Sequence, residues 1–167
     1  GAMADQTQKR KPWIMFFSMF FLLATFSLWF AEPNMENTFW ILLAYTIGFV
    51  AVDFSTVFNN SMMPSLVKLS NLGKLSGSGW GLGYLGGLVS LIIMLLLFVE
   101  QDNGLTLLGN NPMFGLDPEQ REGTRIVGPL TAIWYLIFIV PFFIFVPEAK
   151  LAKETKLHIM KALKNLL

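Results

Sequence analysis

Asp53 is the only charged residue between Asn37 and Val67, in a stretch otherwise built of apolar and small polar side chains. At helical spacing Thr46, Asp53, Thr56 and Asn60 fall on one face. A carboxyl beside hydroxyls and a carboxamide can hold a polar solute, or take up and release a proton. The same group can also sit protonated or hydrogen-bonded and tie two helices together, and the residues alone leave both roles open. A second candidate is the run GSGWGLGYLGG, residues 77–87, with six glycines in eleven positions. Within it Gly81, Gly83 and Gly86 match the spacing of a dinucleotide-binding loop. That loop needs a strand before it and an acidic residue about 20 positions on. No strand precedes the run, and it leads into the apolar wall LVSLIIMLLLFV. The chain has no cysteine and a single histidine, His158, so thiol chemistry and paired-histidine metal sites are excluded. No catalytic set, cofactor motif or metal-ligand pattern is visible, and nothing points to nucleic acid. The chain does not read as an enzyme.

The elements that must carry these residues are set by where charge is missing. Of 167 residues 54% are hydrophobic and 14% charged, against about 25% charged in soluble domains. The charges are segregated. Residues 12–31, 75–99 and 126–147 have none, and residues 37–67 have only Asp53. A hydrocarbon core of about 30 Å needs about 20 helical residues, and each stretch supplies them. Four buried helices of a soluble bundle would show polar outer faces, which these lack. The expected fold is all-α and integral to the lipid bilayer, with spans at about 12–31, 38–66, 76–99 and 126–147.

Loop charge orients these spans. Lys9, Arg10 and Lys11 precede the first; the next connection has Glu32 and Glu36 and no base; the third has Lys68 and Lys74 and no acid. The fourth, residues 100–125, has five acids against two arginines, and the tail carries five lysines. Basic connections stay cytoplasmic, so both termini are expected there, in a bacterial inner membrane. The long acidic connection reads as an ordered, irregular external loop. Residues 148–167 read as an amphipathic helix lying in the membrane interface, lysines toward the headgroups. They close a first unit spanning residues 1–147. The helix WIMFFSMFFLLATFSLWF has few polar residues and is expected to face lipid.

Gly79, Gly83 and Gly87 recur every four residues, with Gly86 beside them. Small residues let membrane helices approach closely, so the stripe is expected to be a groove for another helix. Its spacing does not say whether that helix belongs to the same chain. The surrounding text is more specific. Residues 57–87, VFNNSMMPSLVKLSNLGKLSGSGWGLGYLGG, resemble the signature of the vacuole amino-acid effluxer-like branch of the major facilitator superfamily. Phe58, Asn60 and Pro64 match its F-Y-N-A-x-L-P helix end. Gly73, Ser76, Gly77, Gly79, Trp80, Gly83, Tyr84, Leu85, Gly86 and Gly87 match its G-R-V-S-G-x-G-W-A-L-G-Y-L-G-G run. Asn59, Lys74 and Gly81 depart from it. Gly1, Asp5, Lys9 and Arg10 are similar to the basic loop between the second and third helices of these transporters, with Gln6 and Gln8 departing.

The resemblance implies a secondary transporter working by alternating access, of which this chain would hold the third to sixth of about twelve helices. Its partners would then be the bilayer, the remainder of the transporter and a small-molecule substrate, amino acids among the candidates. It implies that the helix of Asp53 lines the central cavity, and that Gly1, Asp5, Lys9 and Arg10 belong to a cytoplasmic gating loop. The rival expectation is a small four-helix membrane subunit with a structural or assembly role, self-associating through Gly79, Gly83 and Gly87.

Overall fold

The computed structural model describes residues 9–34 and 36–148. Helix α1 (Lys11–Ser27) ends in a 3-10 turn, Leu28–Phe30. Helix α2 (Thr38–Leu66) and helix α3 (Leu69–Leu97) follow, then a 3-10 turn at Met113–Gly115. A short helix α4 (Glu122–Arg125) runs through Ile126 into α5 (Val127–Phe145). The described residues hold no strand. Four helical segments, Lys11–Phe30, Thr38–Leu66, Leu69–Leu97 and Glu122–Phe145, are long and apolar enough to cross a membrane. The protein is an all-helical, multi-pass membrane protein. Its third helix starts at Leu69, earlier than the position 76 expected from charge alone, so the connection from α2 narrows to Val67 and Lys68. An extended Lys68 breaks the two helices apart. Gly1 and Asp5 of the expected gating loop, and the expected interfacial helix after Glu148, lie outside the described residues.

Helices α1, α2 and α5 form a packed unit. Ile14 and Met62 are fully buried where the three meet, enclosed by Phe58, Ile139, Phe142, Phe143 and Val146. Trp13 stacks on Phe17 and Phe58, and Phe17 on Phe54, at ring separations of 5.0–6.5 Å. Helix α1 exposes Met15, Phe16, Met19, Phe20, Leu23 and Phe26 on one side, as a lipid-facing helix would, and packs its other side against α2 and α5. Its buried side chains are Ile14, Ser18, Ala24 and Thr25, three of them small, and their size lets α2 and α5 come close. The close approaches elsewhere are glycines. A Cβ on Gly48 of α2 would lie 2.9 Å from the Cβ of Ala24, and one on Gly128 of α5 would lie 2.5 Å from the Thr25 carbonyl oxygen. In lipid, where apolar burial between helices gains little, such contacts and interhelical hydrogen bonds hold a bundle together.

Both ends of this unit are tied. At the end carrying the basic residues, one Glu148 carboxylate oxygen accepts the backbone N–H groups of Arg10 (2.7 Å) and Lys11 (3.2 Å). These are donors that the first turn of α1 leaves unpaired. Lys11 Nζ donates to the Phe143 carbonyl at 2.9 Å. At the acidic end Arg125 Nε donates to the Trp29 carbonyl at 2.7 Å, its guanidinium lies 4.9 Å above the Trp29 ring, and Glu32 stands 3.9 Å away. Glu100, buried, accepts Thr124 N–H at 3.0 Å and Thr124 Oγ1–H at 2.7 Å. A Cβ at Gly123 would collide with the Phe98 carbonyl and this carboxylate, so glycine is required where α4 meets the end of α3.

Helix α3 differs from the rest. It is anchored near its two ends, and Met94 is its one buried residue. It diverges from α2 beyond the short connection at Lys68.

Candidate functional site

The four residues of the expected polar stripe share one exposed face of α2. Thr46, Asp53, Thr56 and Asn60 are all exposed. The buried residues of the helix are Gly48, Ala51, Ser55 and Met62, on the opposite side. The geometry follows from periodicity: at 100° per residue, Ser55 points about 200° away from Asp53. Thr46 and Thr56 return their hydroxyl protons to the carbonyls of Leu42 and Val52, each at 2.8 Å. Their oxygens keep lone pairs for an incoming donor. Asp53 has no ion-pair or hydrogen-bond partner among the described residues.

The opposite face of α2 is held in place by a node that sequence reasoning did not find. Tyr135 of α5 places its hydroxyl 2.7 Å from Ser18 Oγ of α1 and 3.4 Å from Ser55 Oγ of α2. Its ring meets Phe21 edge-on at 4.8 Å. Three hydroxyls from three helices thus meet among apolar side chains. The available signal was Tyr135 itself, the sole tyrosine of a helix otherwise almost free of hydrogen-bonding groups.

Thr56 and Asn60 open onto a cleft of about 550 Å³ between the basic-end halves of α2 and α3, reaching Phe142 and Val146 of α5. Asn59, Ser76, Trp80 and Tyr84 also line it, and so do Gly79 and Gly83. Asp53 and Thr46 are not among its walls; Asp53 lies one turn further along α2. The structure therefore brings two of the four stripe residues together with two of the four glycines. The glycine stripe does not make a close helix contact among the described residues. A Cβ at Gly79, Gly83, Gly86 or Gly87 would find nothing within 4 Å. A second cavity, about 780 Å³, lies at the acidic end between α1, α2 and α5, with mostly apolar walls such as Phe21, Phe49 and Val52.

Of the expected gating loop, Lys9 and Arg10 are described. Arg10 is the N-cap residue of α1, and its backbone, through Glu148, joins α1 to the segment following α5. No group of three or more His, Asp or Glu among the described residues is placed to hold a metal ion.

A family model described as MFS/sugar transport protein matches residues 1–167, and the chain belongs to that family of major facilitator superfamily transporters. No curated protein and no solved structure matches it. Membership does not favour a stand-alone assembly subunit.

Proposed function

We propose, with family membership as the premise, that this chain forms the α1–α5 part of a secondary active transporter that moves small solutes by alternating access. Asp53 is its coupling carboxylate. The observation that carries this reading is the two-sidedness of α2. One side is fixed by Gly48, Ala51, Ser55 and Met62 against α1 and α5. The other presents Asp53, Thr46, Thr56 and Asn60 with no partner for the carboxylate. An ionisable group in a membrane span is expensive unless it pairs or meets water, and it commonly marks a pathway. A water-filled cavity between two moving halves supplies that water. In such a cavity the Asp53 carboxyl takes a proton from one side of the membrane and releases it to the other.

Both ends of the described chain are proposed to face the cytoplasm, following the basic residues. For the cargo, the resemblance to the effluxer-like branch puts amino acids forward, and the family description puts sugars forward. Asp53→Asn in the full-length gene product, reconstituted in vesicles, tests the coupling role. Solute exchange is expected to survive while accumulation driven by a pH gradient is lost. Wild-type accumulation in the variant would make Asp53 a structural residue.

A further inference from the structure

The connection between α3 and α4 keeps its charges at its two ends. Residues 103–116, NGLTLLGNNPMFGL, hold none, with Asp102 before them and Asp117, Glu119 and Arg121 after. Four large apolar side chains of this run stand out of the fold: Leu107, Leu108, Met113 and Phe114, the last of them 80% exposed. Phe114 is also held at φ 63°, ψ 14°, a left-handed conformation that a bulky residue adopts only under constraint. An apolar patch presented in this way marks an interaction surface.

Depth says what receives it. The Leu107 N–H donates to the Leu95 carbonyl at 3.2 Å, so the connection folds back beside the last turn of α3. The charge-free part of that helix begins at Leu75. From there to Leu97 is about 34 Å of helix, against a hydrocarbon core of about 30 Å. The end of α3, and Leu107 with it, therefore lies where acyl chains meet headgroups. Irregular backbone at that level must have its polar groups paired. The N–H groups of Gly104, Leu105, Thr106, Leu107 and Gly109 all donate within the protein, at 2.8–3.2 Å. At the same end α1 and α2 carry Trp29 and Trp40, a residue type typical of the membrane interface, whereas the last three turns of α3 hold neither Trp nor Tyr. The charged side of the connection is separate. Asp102, Asp117, Glu119 and Arg121 line a polar hollow whose walls include none of the four exposed apolar residues.

We propose that residues 105–116 are a lipid-inserted loop. Leu107, Leu108, Met113 and Phe114 enter the acyl-chain boundary of the leaflet at the acidic end, while the hollow beside Asp102 and Glu119 stays in water. The loop gives the end of α3 the interfacial anchor that its own sequence lacks, whatever solute the transporter carries. Nitroxide labels on single cysteines measure this in a cysteine-free full-length gene product in phosphatidylcholine nanodiscs. The readout is accessibility to oxygen, which concentrates among acyl chains, relative to a water-soluble nickel chelate. Labels at Leu108 and Phe114 are expected to show an oxygen-to-nickel ratio several-fold above labels at Asn103 and Glu119, on the side of an in-span reference at Leu23 of α1. All five positions are exposed, so the labels displace no packed side chain. A ratio at Leu108 and Phe114 equal to that at Asn103 would place the run in water and overturn the proposal. Immobilised labels that neither reagent reaches would overturn it too, since protein and not lipid would then cover the run. A raised ratio at only one of the two sites would also overturn it, because the folded loop must insert both.

Discussion

Gly128→Ala adds one methyl group to α5, and the structure says where it goes. The new Cβ would lie 2.5 Å from the Thr25 carbonyl oxygen and 2.8 Å from the Leu28 Cβ. A carbon–oxygen contact relaxes near 3.5 Å, so α1 and α5 must separate by about 1 Å. The obstacle is helix backbone, which no rotamer change can move aside. Overpacking of this kind costs about 1–3 kcal/mol, and the upper part of that range applies here. The separation also acts at Tyr135, two turns further along α5, whose 2.7 Å hydrogen bond to Ser18 spans the same pair of helices. Against this, alanine is the better helix former by about 1 kcal/mol, leaving a net loss of about 1–2 kcal/mol. Gly83→Ala is the matched control. Its Cβ has nothing within 4 Å, so only the propensity gain of at most about 1 kcal/mol remains. The two variants should therefore differ by about 2–3 kcal/mol in reversible unfolding by sodium dodecyl sulfate from mixed micelles. Equal stability, or Gly83→Ala below Gly128→Ala, would refute the assignment of the close contact to α1–α5.

Gly48→Ala should fall between those two, since its obstacle is the Ala24 methyl at 2.9 Å; the same unfolding titration ranks it. Tyr135→Phe leaves Ser18 and Ser55 without their shared partner and should lower stability by about 0.5–1.5 kcal/mol, with Ser18→Ala in the same background adding little more. Arg125→Ala removes the hydrogen bond to the Trp29 carbonyl and the neighbour of Glu32. It should raise the exposure of the 28–37 turn to limited proteolysis from the acidic side, and Arg125→Lys should not restore protection, because lysine lacks the fork geometry. For orientation, single cysteines at Asn34 and Asn110 should react with an impermeant maleimide in intact cells and one at Ser70 should not; labelling of Ser70 would reverse the topology.

The spans were legible because lipid imposes a composition on each of them: a charge-free run of helical length is written residue by residue. Asp53 stood out for the same reason, and its face followed from the period of the helix. Packing was legible only in part. The conspicuous glycines of α3, close together in sequence, make no close contact among the described residues, whereas the isolated Gly48 and Gly128 do. A small residue permits approach but does not compel it, and whether two backbones meet depends on a partner that spacing within one helix cannot name. Helix α1 shows the same limit. Its phenylalanines suggested a lipid-facing helix, and Phe16, Phe20 and Phe26 are exposed, but Ser18, Ala24 and Thr25, scattered among them, mark a packed side that composition does not show. The ties at the two ends, Glu148 at the start of α1 and Glu100 and Arg125 around α4, join residues 24–138 positions apart. No local pattern encodes such pairs.

These observations assign different work to the two long helices around the cleft. Helix α2 is fixed in rotation by Tyr135 and in height by Gly48 and Met62, so the direction in which Asp53, Thr56 and Asn60 point is set by residues on its other side. Helix α3 has no comparable hold between its ends, and its glycine-rich wall leaves the cleft open. A movement of α3 relative to the α1–α2–α5 unit would change the width of the cleft without breaking the hydroxyl node. The ties at Glu148 and Arg125 do not involve α3, whereas Glu100, just beyond its end, ties it to Thr124 of α4. On this division the face of α2 that carries Asp53 is set by contacts on the far side of that helix, and α3 is held near its ends, by the connection at Lys68 and by the Glu100–Thr124 hydrogen bonds just beyond Leu97.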